Sequence, residues 1–303
     1  MTSRNTWSGG SGHADVVVDL LRLHQELSAL PTLSPNAHTN SVFGELVSLV
    51  TQQTDDQVAR RILANSDVRR IVSELRSLCS AGEVELELAW TQRIITSHDP
   101  WQELREFPYF TNYEQLIRME LHAVLGITGC APRRVLFVGA GPLPLSSLLL
   151  ASQYGPMEID NIDIDPSATR LAARLAARLA NALQISSLRF RCADVLACTD
   201  IAGYDAVCLA AMVGPHPEDK MQVIKHLYQH MKTGALLLAR SAHALRTLLY
   251  PPLALGELAG FRPLLVLNPY TEVVNSLVIA EKPRSLRPAS RPVHAEELVE
   301  PAT

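Results

Sequence analysis

Two glutamates in an apolar stretch, Glu83 and Glu87, are residues whose type and spacing suggest chemistry. They stand four residues apart in LCSAGEVELELAW, a segment of helical pattern, so both lie on one helix face near Leu86 and Trp90. Like charges at this spacing destabilise a helix by a few tenths of a kcal/mol. Two interpretations stay open: a solvated acidic face, or a carboxylate in an apolar cleft, where desolvation raises its pKa and makes it a base at neutral pH.

A short aromatic cluster, FPYFTNY, follows this helix pattern in the sequence. It places four aromatic side chains within seven residues of a chain that is only 5% aromatic, so the cluster is a local feature. Such clusters are typical of a core. The hydroxyl of Tyr109 or Tyr113 would nevertheless require a hydrogen-bond partner if it were buried.

A glycine loop in RRVLFVGAGPLPLS is the second candidate for chemistry. Gly139 and Gly141 permit backbone conformations that a Cβ forbids, and we expect Pro142 at the first helical position, where its missing N–H costs nothing. An apolar strand, a glycine loop and a helix in this order can hold a nucleotide. A dinucleotide fingerprint would have glycine at Pro144, and the usual loop of S-adenosylmethionine enzymes would have one near Leu143. An ordinary strand-to-helix turn therefore stays open.

The residues around and after this loop predict an α/β fold. The strand patterns are the run that ends at Gly139 and the segments Met157–Asp165, Ser187–Asp194, Asp205–Gly214, Ala235–Ala242, Arg262–Pro269 and Val273–Lys282. Helical patterns separate the first five strands, which indicates a parallel doubly wound sheet. The last two are joined by a connection too short for a crossover helix, so they must pair antiparallel. This terminal hairpin favours a Rossmann-like S-adenosylmethionine-binding fold over an NAD-binding one.

An aspartate near the end of the second strand supports nucleotide binding. Asp163 follows the glycines by about 20 residues, where a carboxylate can accept hydrogen bonds from both ribose hydroxyls. Asp194 ends the third strand. Either aspartate could instead cap a strand end or a turn.

The chain before the sheet has a different character, and we expect a helical N-terminal domain over residues 15–130. Helical spacing covers Asp15–Leu30, Asn40–Leu49, Val58–Ile95 and Asn112–Leu125, with a break at Pro31–Pro35. The sheet domain then covers residues 131–282. Residues 1–14 are expected to be flexible, and the proline-rich tail over 283–303 to be disordered.

Composition narrows the function class. With 303 residues and 47% hydrophobic content the chain can bury a sizeable core, and a net charge of −4 gives no electrostatic footprint for nucleic acid or an anionic membrane. No apolar run reaches the roughly 18 residues that a membrane helix requires. We therefore expect a cytoplasmic protein whose partner is a small molecule, with a homodimer kept open.

Cysteines and histidines do not indicate a metal site. The five cysteines lack CxxC spacing and are expected to be reduced thiols. His226 and His230 stand four apart like a zinc pair, but no glutamate follows His226, and we interpret both as surface residues at a helix end. No metal is expected to be required.

Longer motifs in both halves resemble one family. They are LSPNAHTNSVFGELV, LCSAGE, FPYFTNY, FVGAGPLPLSSLLLA, IDIDPSA, LAAMVG, RSAHALRTLLYP and TEVVNSLVIAEK. Together they resemble nicotianamine synthases over about residues 15 to 282. The resemblance implies a transferase that moves the 3-amino-3-carboxypropyl group of S-adenosylmethionine, its substrate, onto an amine. Three such groups condense to nicotianamine, a metal chelator, and methylthioadenosine is released each time.

The resemblance also implies catalytic residues. Glu83 falls on the family's catalytic glutamate and Tyr109 on its catalytic tyrosine. We expect Glu83 to be the base, and Tyr109 to be its hydrogen-bond partner and to orient the incoming amine. Glu87 matches a family acidic position and is expected to be structural. Plant members typically carry Gly, Glu and Ala where this chain has Ser80–Gly82, so one acidic neighbour is missing.

Ligand-binding residues are expected on the other matching motifs. Gly139, Gly141 and Pro142 would approach S-adenosylmethionine, Asp163 the ribose and Asp194 the adenine amine, with Ala211 and Met212 beside the adenosine. The expected substrate-binding residues are Tyr113, Arg240, His243 and Asn275. For Arg240, a donor to a substrate carboxylate and a buried salt bridge are both open.

Three rival functions stay open. A methyltransferase would use the same sheet and release S-adenosylhomocysteine instead of methylthioadenosine. A non-catalytic adenosine-binding regulator would form no product. An opine-type metallophore synthase would make one transfer to another amino acid such as histidine.

Overall fold

The computed structural model describes residues 12–284, apart from 53–54, 155–156, 186–187 and 215. Most of the predicted N-terminal flexible segment and all but the start of the predicted disordered tail lie outside these residues. The first helix begins at Gly12, inside the segment that was expected to be flexible.

Six helices precede the sheet in the described part of the chain. They are α1 (Gly12–Ala29), α2 (Ala37–Thr51), α3 (Asp56–Ala64), α4 (Ser66–Thr96), α5 (Pro100–Arg105) and α6 (Phe110–Thr128). The stretch predicted to be helical from Val58 to Ile95 is divided into two helices, because Asn65 leaves the helical conformation with φ −61° and ψ 134°. Its side chain accepts hydrogen bonds from the N–H groups of Asp67 and Val68 and so begins α4.

The seven-stranded sheet has the order β3-β2-β1-β4-β5-β7-β6. Its strands are β1 (Arg134–Val138), β2 (Glu158–Asp163), β3 (Leu188–Cys192), β4 (Ala206–Leu209), β5 (Leu236–Ser241), β6 (Arg262–Leu267) and β7 (Ser276–Glu281). The first five pair in parallel, and β7 pairs antiparallel with both β5 and β6. The predicted parallel sheet with a terminal antiparallel hairpin is confirmed.

The connections differ from prediction in two places. Helices α7 (Leu145–Gln153), α8 (Pro166–Leu183) and α9 (Pro217–His230) follow β1, β2 and β4. Between β3 and β4 the chain makes two short 3₁₀ turns and no α-helix. Pro142 is not the first residue of α7, since the loop continues for three residues and the helix begins at Leu145.

Among the described residues, three apolar clusters hold these elements together. The end of α4, with α5, α6, α7 and α8, packs on one face of the sheet, and α9 packs on the other. The third cluster joins α1, α2, α3 and the first part of α4 to Leu245, Leu248 and Leu249, which follow β5. Helix α4 therefore belongs to two clusters and runs from the N-terminal helices onto the sheet.

A buried ion pair links helix α6 to strand β5 of the sheet. Arg240 on β5 donates from Nε and Nη2 to the two carboxylate oxygens of Glu120 on α6, at 2.8 and 3.1 Å. Nη2 also donates to the Ser146 hydroxyl at 2.8 Å. The arginine and glutamate side chains are only 11% and 6% exposed, so both charges are largely removed from water.

Removing one member of this pair should strongly destabilise the fold. We expect Glu120→Ala to lower the free energy of unfolding by about 3 to 5 kcal/mol, because it leaves a buried, unpaired guanidinium. Glu158→Ala is the matched control, since Glu158 pairs with Arg189 at 3.2 Å but is 55% exposed; it should cost about 1 kcal/mol or less. Urea unfolding of both variants measures the difference, and equal losses would contradict it.

Candidate active site

Two cavities of about 510 Å³ each meet between helix α4 and the sheet. The loop cavity lies at the carboxyl ends of β1, β2 and β4, where ligands bind in open α/β sheets. The helix cavity lies among α2, α4 and the start of α6. The residues that line both are Glu83, Glu87, Tyr113, Tyr250 and Asn275. A group at this junction can contact ligands in either cavity.

The glycine loop forms one wall of the loop cavity, and the protein itself requires its glycines. Gly139 and Gly141 have φ of 79° and 66°. A Cβ on Gly139 would collide with Val213, and one on Gly141 would lie 2.7 Å from a carboxylate oxygen of Glu87. The missing side chains therefore let the loop lie close to the protein's own Val213 and Glu87.

Both predicted nucleotide-binding aspartates line the loop cavity. Asp163 accepts hydrogen bonds from the N–H groups of Gly141 at 2.8 Å and Asp165 at 3.0 Å. Asp194 accepts one from the N–H of Leu196 at 2.9 Å and so caps a 3₁₀ turn. Each carboxylate therefore accepts local backbone hydrogen bonds, as the capping interpretation expects, and also lines the cavity, as ligand binding requires.

A buried lysine supports the far wall of the loop cavity. Ala211 and Met212 line this wall, and the Ala211 carbonyl accepts a hydrogen bond from Lys220 Nζ at 2.6 Å. Lys220 is 3% exposed, and burial lowers its pKa to about 8. Sequence reasoning missed this lysine because its position on α9 resembles any exposed helix position.

Glu83 is half-buried at the junction, where its carboxylate accepts a hydrogen bond from the Tyr250 hydroxyl at 2.7 Å. Desolvation raises the pKa of Glu83, while Tyr250 and the charge of Arg240 oppose that rise. The expectation that Tyr109 is the hydrogen-bond partner of Glu83 is wrong, because Tyr250 holds that place. A half-buried carboxylate with a raised pKa is suited to accept a proton at neutral pH.

Glu87 is buried, with only 8% of its surface exposed, so the pair does not form a solvated acidic face. Its carboxylate accepts hydrogen bonds from the backbone N–H of Leu143 and the hydroxyl of Tyr113, and desolvation raises its pKa well above the ordinary value. The nearby charges of Glu83 and Asp163 raise it further. Glu87 thus joins helix α4 to the glycine loop.

The two tyrosines of the aromatic cluster have different surroundings. Tyr113 lines both cavities and supplies the hydroxyl that Glu87 accepts. Tyr109 lines only the helix cavity and packs edge-on against Phe107, with ring centroids 5.9 Å apart. Desolvation, and then the charge of Glu83, raise the pKa of Tyr109 to about 12. Burial also raises the pKa of Tyr113 well above its ordinary value, so both phenols are neutral at physiological pH.

Two other predicted substrate-binding residues, Arg240 and His243, differ in whether they reach the cavities. Arg240 lines the loop cavity, but its salt bridge with Glu120 and its bond to Ser146 use Nε and Nη2. His243 lies 3.5 Å from Asp56 and lines neither cavity, so the structure does not bring it to the site.

Asn275 has the surroundings of a ligand-binding residue. It lines both cavities, and its Nδ2 is buried with no hydrogen-bond partner among the described residues. A buried amide donor left unpaired costs about 1 to 3 kcal/mol. A ligand oxygen at the junction would satisfy it.

The described part of the chain offers neither a metal site nor a membrane-spanning helix. No group of three or more His, Cys, Asp or Glu side chains there could hold a metal ion. None of the helices described has the length and apolar character needed to cross a bilayer.

Comparison with known proteins identifies one family. The family model described as nicotianamine synthase protein matches residues 10–287. Nicotianamine synthase 9 of Hordeum vulgare is 39% identical over 282 residues, which cover 91% of this chain and 81% of the barley protein. The nicotianamine synthase of Solanum lycopersicum is 37% identical over 88% of this chain and 83% of its own length.

Solved structures agree on the fold. A variant of MtNAS in complex with S-adenosylmethionine has a TM-score of 0.77 at 24% identity, with 91% of this chain and 100% of that chain covered. MtNAS in complex with MTA and tNA has a TM-score of 0.76 at 24% identity, with 90% and 99% covered. With the family model and the curated relatives matching nearly the whole chain, this protein belongs to the nicotianamine synthase family.

Proposed function

We propose that this enzyme transfers 3-amino-3-carboxypropyl groups from S-adenosylmethionine to an amine and condenses three of them into nicotianamine, with one methylthioadenosine released for each group. The observation that carries the proposal is the place of Glu83. Its carboxylate stands where the two cavities meet, hydrogen-bonded to Tyr250. A base at that point can take a proton from an acceptor in one cavity as the acceptor attacks a donor in the other.

The donor, S-adenosylmethionine, belongs in the loop cavity. Asp163 would bind the ribose and Asp194 the adenine amine, with Ala211 and Met212 beside the adenosine; all four line that cavity. The aminocarboxypropyl arm then extends toward the junction. A sulfonium has three activated carbons, and alignment with the nucleophile selects which of them reacts.

The acceptor belongs in the helix cavity. The described residues that line this cavity include Glu83, Glu87 and Glu272 and no lysine, arginine or histidine. This lining favours the amine end of an acceptor at the junction. Asn275, with its unpaired Nδ2, would donate to a carboxylate of the substrate.

The bonds and charges of the transfer reaction balance without a cofactor. The amine nitrogen attacks the aminocarboxypropyl carbon that is bonded to sulfur, and the N–C bond forms as the C–S bond breaks. The C–S electron pair stays on sulfur, which becomes the neutral thioether of methylthioadenosine. The nitrogen then releases its extra proton to the carboxylate of Glu83, while Tyr109 orients the incoming amine.

Two further expectations accompany this proposal. The product carries several amines and carboxylates, and such nitrogen and oxygen ligands suit first-row divalent metals, in keeping with a metallophore. A cytoplasmic location is supported by the cysteines, since all five are free and Cys130 and Cys192 are exposed.

Product analysis tests the proposed function directly. Purified protein supplied with S-adenosylmethionine and no other amino acid should form nicotianamine and methylthioadenosine, identified by mass spectrometry. Strict dependence on added histidine, with products of one transfer, would indicate the opine-type reaction instead. Release of S-adenosylhomocysteine would indicate a methyltransferase, and binding without any product an adenosine-binding regulator.

Glu83→Gln should abolish most turnover. The amide keeps the shape of the side chain but cannot accept the proton, and loss of a general base costs about 10² to 10⁴ in rate. Calorimetry should find S-adenosylmethionine binding nearly unchanged. Glu87→Gln is the matched control on the same helix face: an amide oxygen can still accept from Leu143, so most activity should remain. A dead Glu87→Gln with an active Glu83→Gln would reverse the assignment of the base.

Tyr250→Phe should move the pH profile. Glu83 acts when deprotonated, so activity falls as the pH drops below its raised pKa. Removal of the Tyr250 hydroxyl removes a hydrogen bond that lowers this pKa, and the acid limb of the kcat profile should move to higher pH. Tyr109→Phe is the control, because Tyr109 does not hydrogen-bond to Glu83. The acid limb of its kcat profile should stay where it is in the wild type. If the two variants share one profile, Tyr250 has no influence on the base.

A further inference from the structure

A glycine in the middle of helix α2 lines the helix cavity. Gly44 lies eight residues into α2, and a Cβ added to it would find no atom within 4 Å. It has no positive φ, so its backbone conformation suits any residue. Glycine in a helix interior destabilises by about 1 kcal/mol relative to alanine. Neither packing nor backbone geometry in the described structure therefore requires glycine at this position.

The helix face around Gly44 is the cavity wall. Asn40, Val47, Ser48 and Thr51 stand four before and three, four and seven after Gly44, and all of them line the helix cavity. Residues at these spacings share one helix face. A side chain at position 44 would therefore project from this wall into the helix cavity.

A second glycine of the same cavity has a different explanation. Gly82 on α4 also lines the helix cavity, but a Cβ there would collide with the ring of Phe43. Packing alone accounts for that glycine. The contrast leaves Gly44 as a glycine whose missing side chain provides open space.

We infer that Gly44 is a specificity-determining residue: its missing side chain leaves the helix cavity the room that the largest acceptor requires. This inference rests on the proposed function, in which each transfer lengthens the acceptor. The first acceptor is the smallest and fits a narrower cavity. The last is the longest and depends most on the free space along α2.

The test replaces Gly44 with leucine and measures products by mass spectrometry after incubation with S-adenosylmethionine alone. Nicotianamine should fall by about tenfold or more relative to the one-transfer product, because a few added methylenes in a pocket change discrimination by that order. Calorimetry should find S-adenosylmethionine binding unchanged, since Gly44 does not line the loop cavity. The melting temperature should hold or rise, because leucine is a better helix former than glycine.

Gly126→Leu is the matched control. Gly126 lies in α6, also has no atom within 4 Å of an added Cβ, and lines neither cavity. The Gly126→Leu variant should form nicotianamine and the one-transfer product in the same ratio as the wild type.

Four outcomes would overturn the inference. Three concern Gly44→Leu: a wild-type product ratio, a first transfer lost as completely as the last, or a melting temperature well below that of Gly126→Leu. In the fourth, a wild-type chain that forms no transfer product overturns the proposed function and this inference together. An active wild type with an unchanged ratio in Gly44→Leu overturns the inference alone.

Discussion

The site depends on one buried side chain, that of Glu87. It reaches from helix α4 into the glycine loop, accepts the N–H of Leu143 and the hydroxyl of Tyr113, and lies where a side chain on Gly141 would stand. The loop, α4 and α6 are thereby fixed relative to one another. Glu83 lies one helical turn before Glu87, so the same contacts place the base at the junction of the two cavities.

Burial of two carboxylates close together is costly, and the structure limits that cost with neutral donors. Glu83 receives a phenol hydroxyl, while Glu87 receives a phenol and a backbone N–H. The nearby cation, Arg240, is paired with Glu120 instead. A direct salt bridge would hold the pKa of Glu83 low and weaken it as a base. Pairing with phenols leaves that pKa raised, as proton transfer near neutral pH requires.

Local patterns in the sequence predicted the sheet and its terminal hairpin, because strand periodicity and connection length are properties of neighbouring residues. The prediction failed where a competing local interaction interrupted a pattern, as at Asn65, whose side chain caps α4 within an otherwise helical stretch. It failed again at the partner of Glu83, since Tyr250 lies 167 residues away in the sequence. No spacing rule relates two such residues, and only the folded chain brings them together.

Charge explains why a carboxylate suits this junction. In the proposed transfer the reactants include the anion of Glu83 and the sulfonium cation of the donor, whereas the products are a neutral carboxylic acid and a neutral thioether. Two charges are therefore lost as the reaction proceeds. A half-buried junction solvates charges poorly, so it disfavours the reactants more than the products and favours the transfer. A lysine or histidine base would instead finish as a cation beside the new amine and would gain nothing from the same burial.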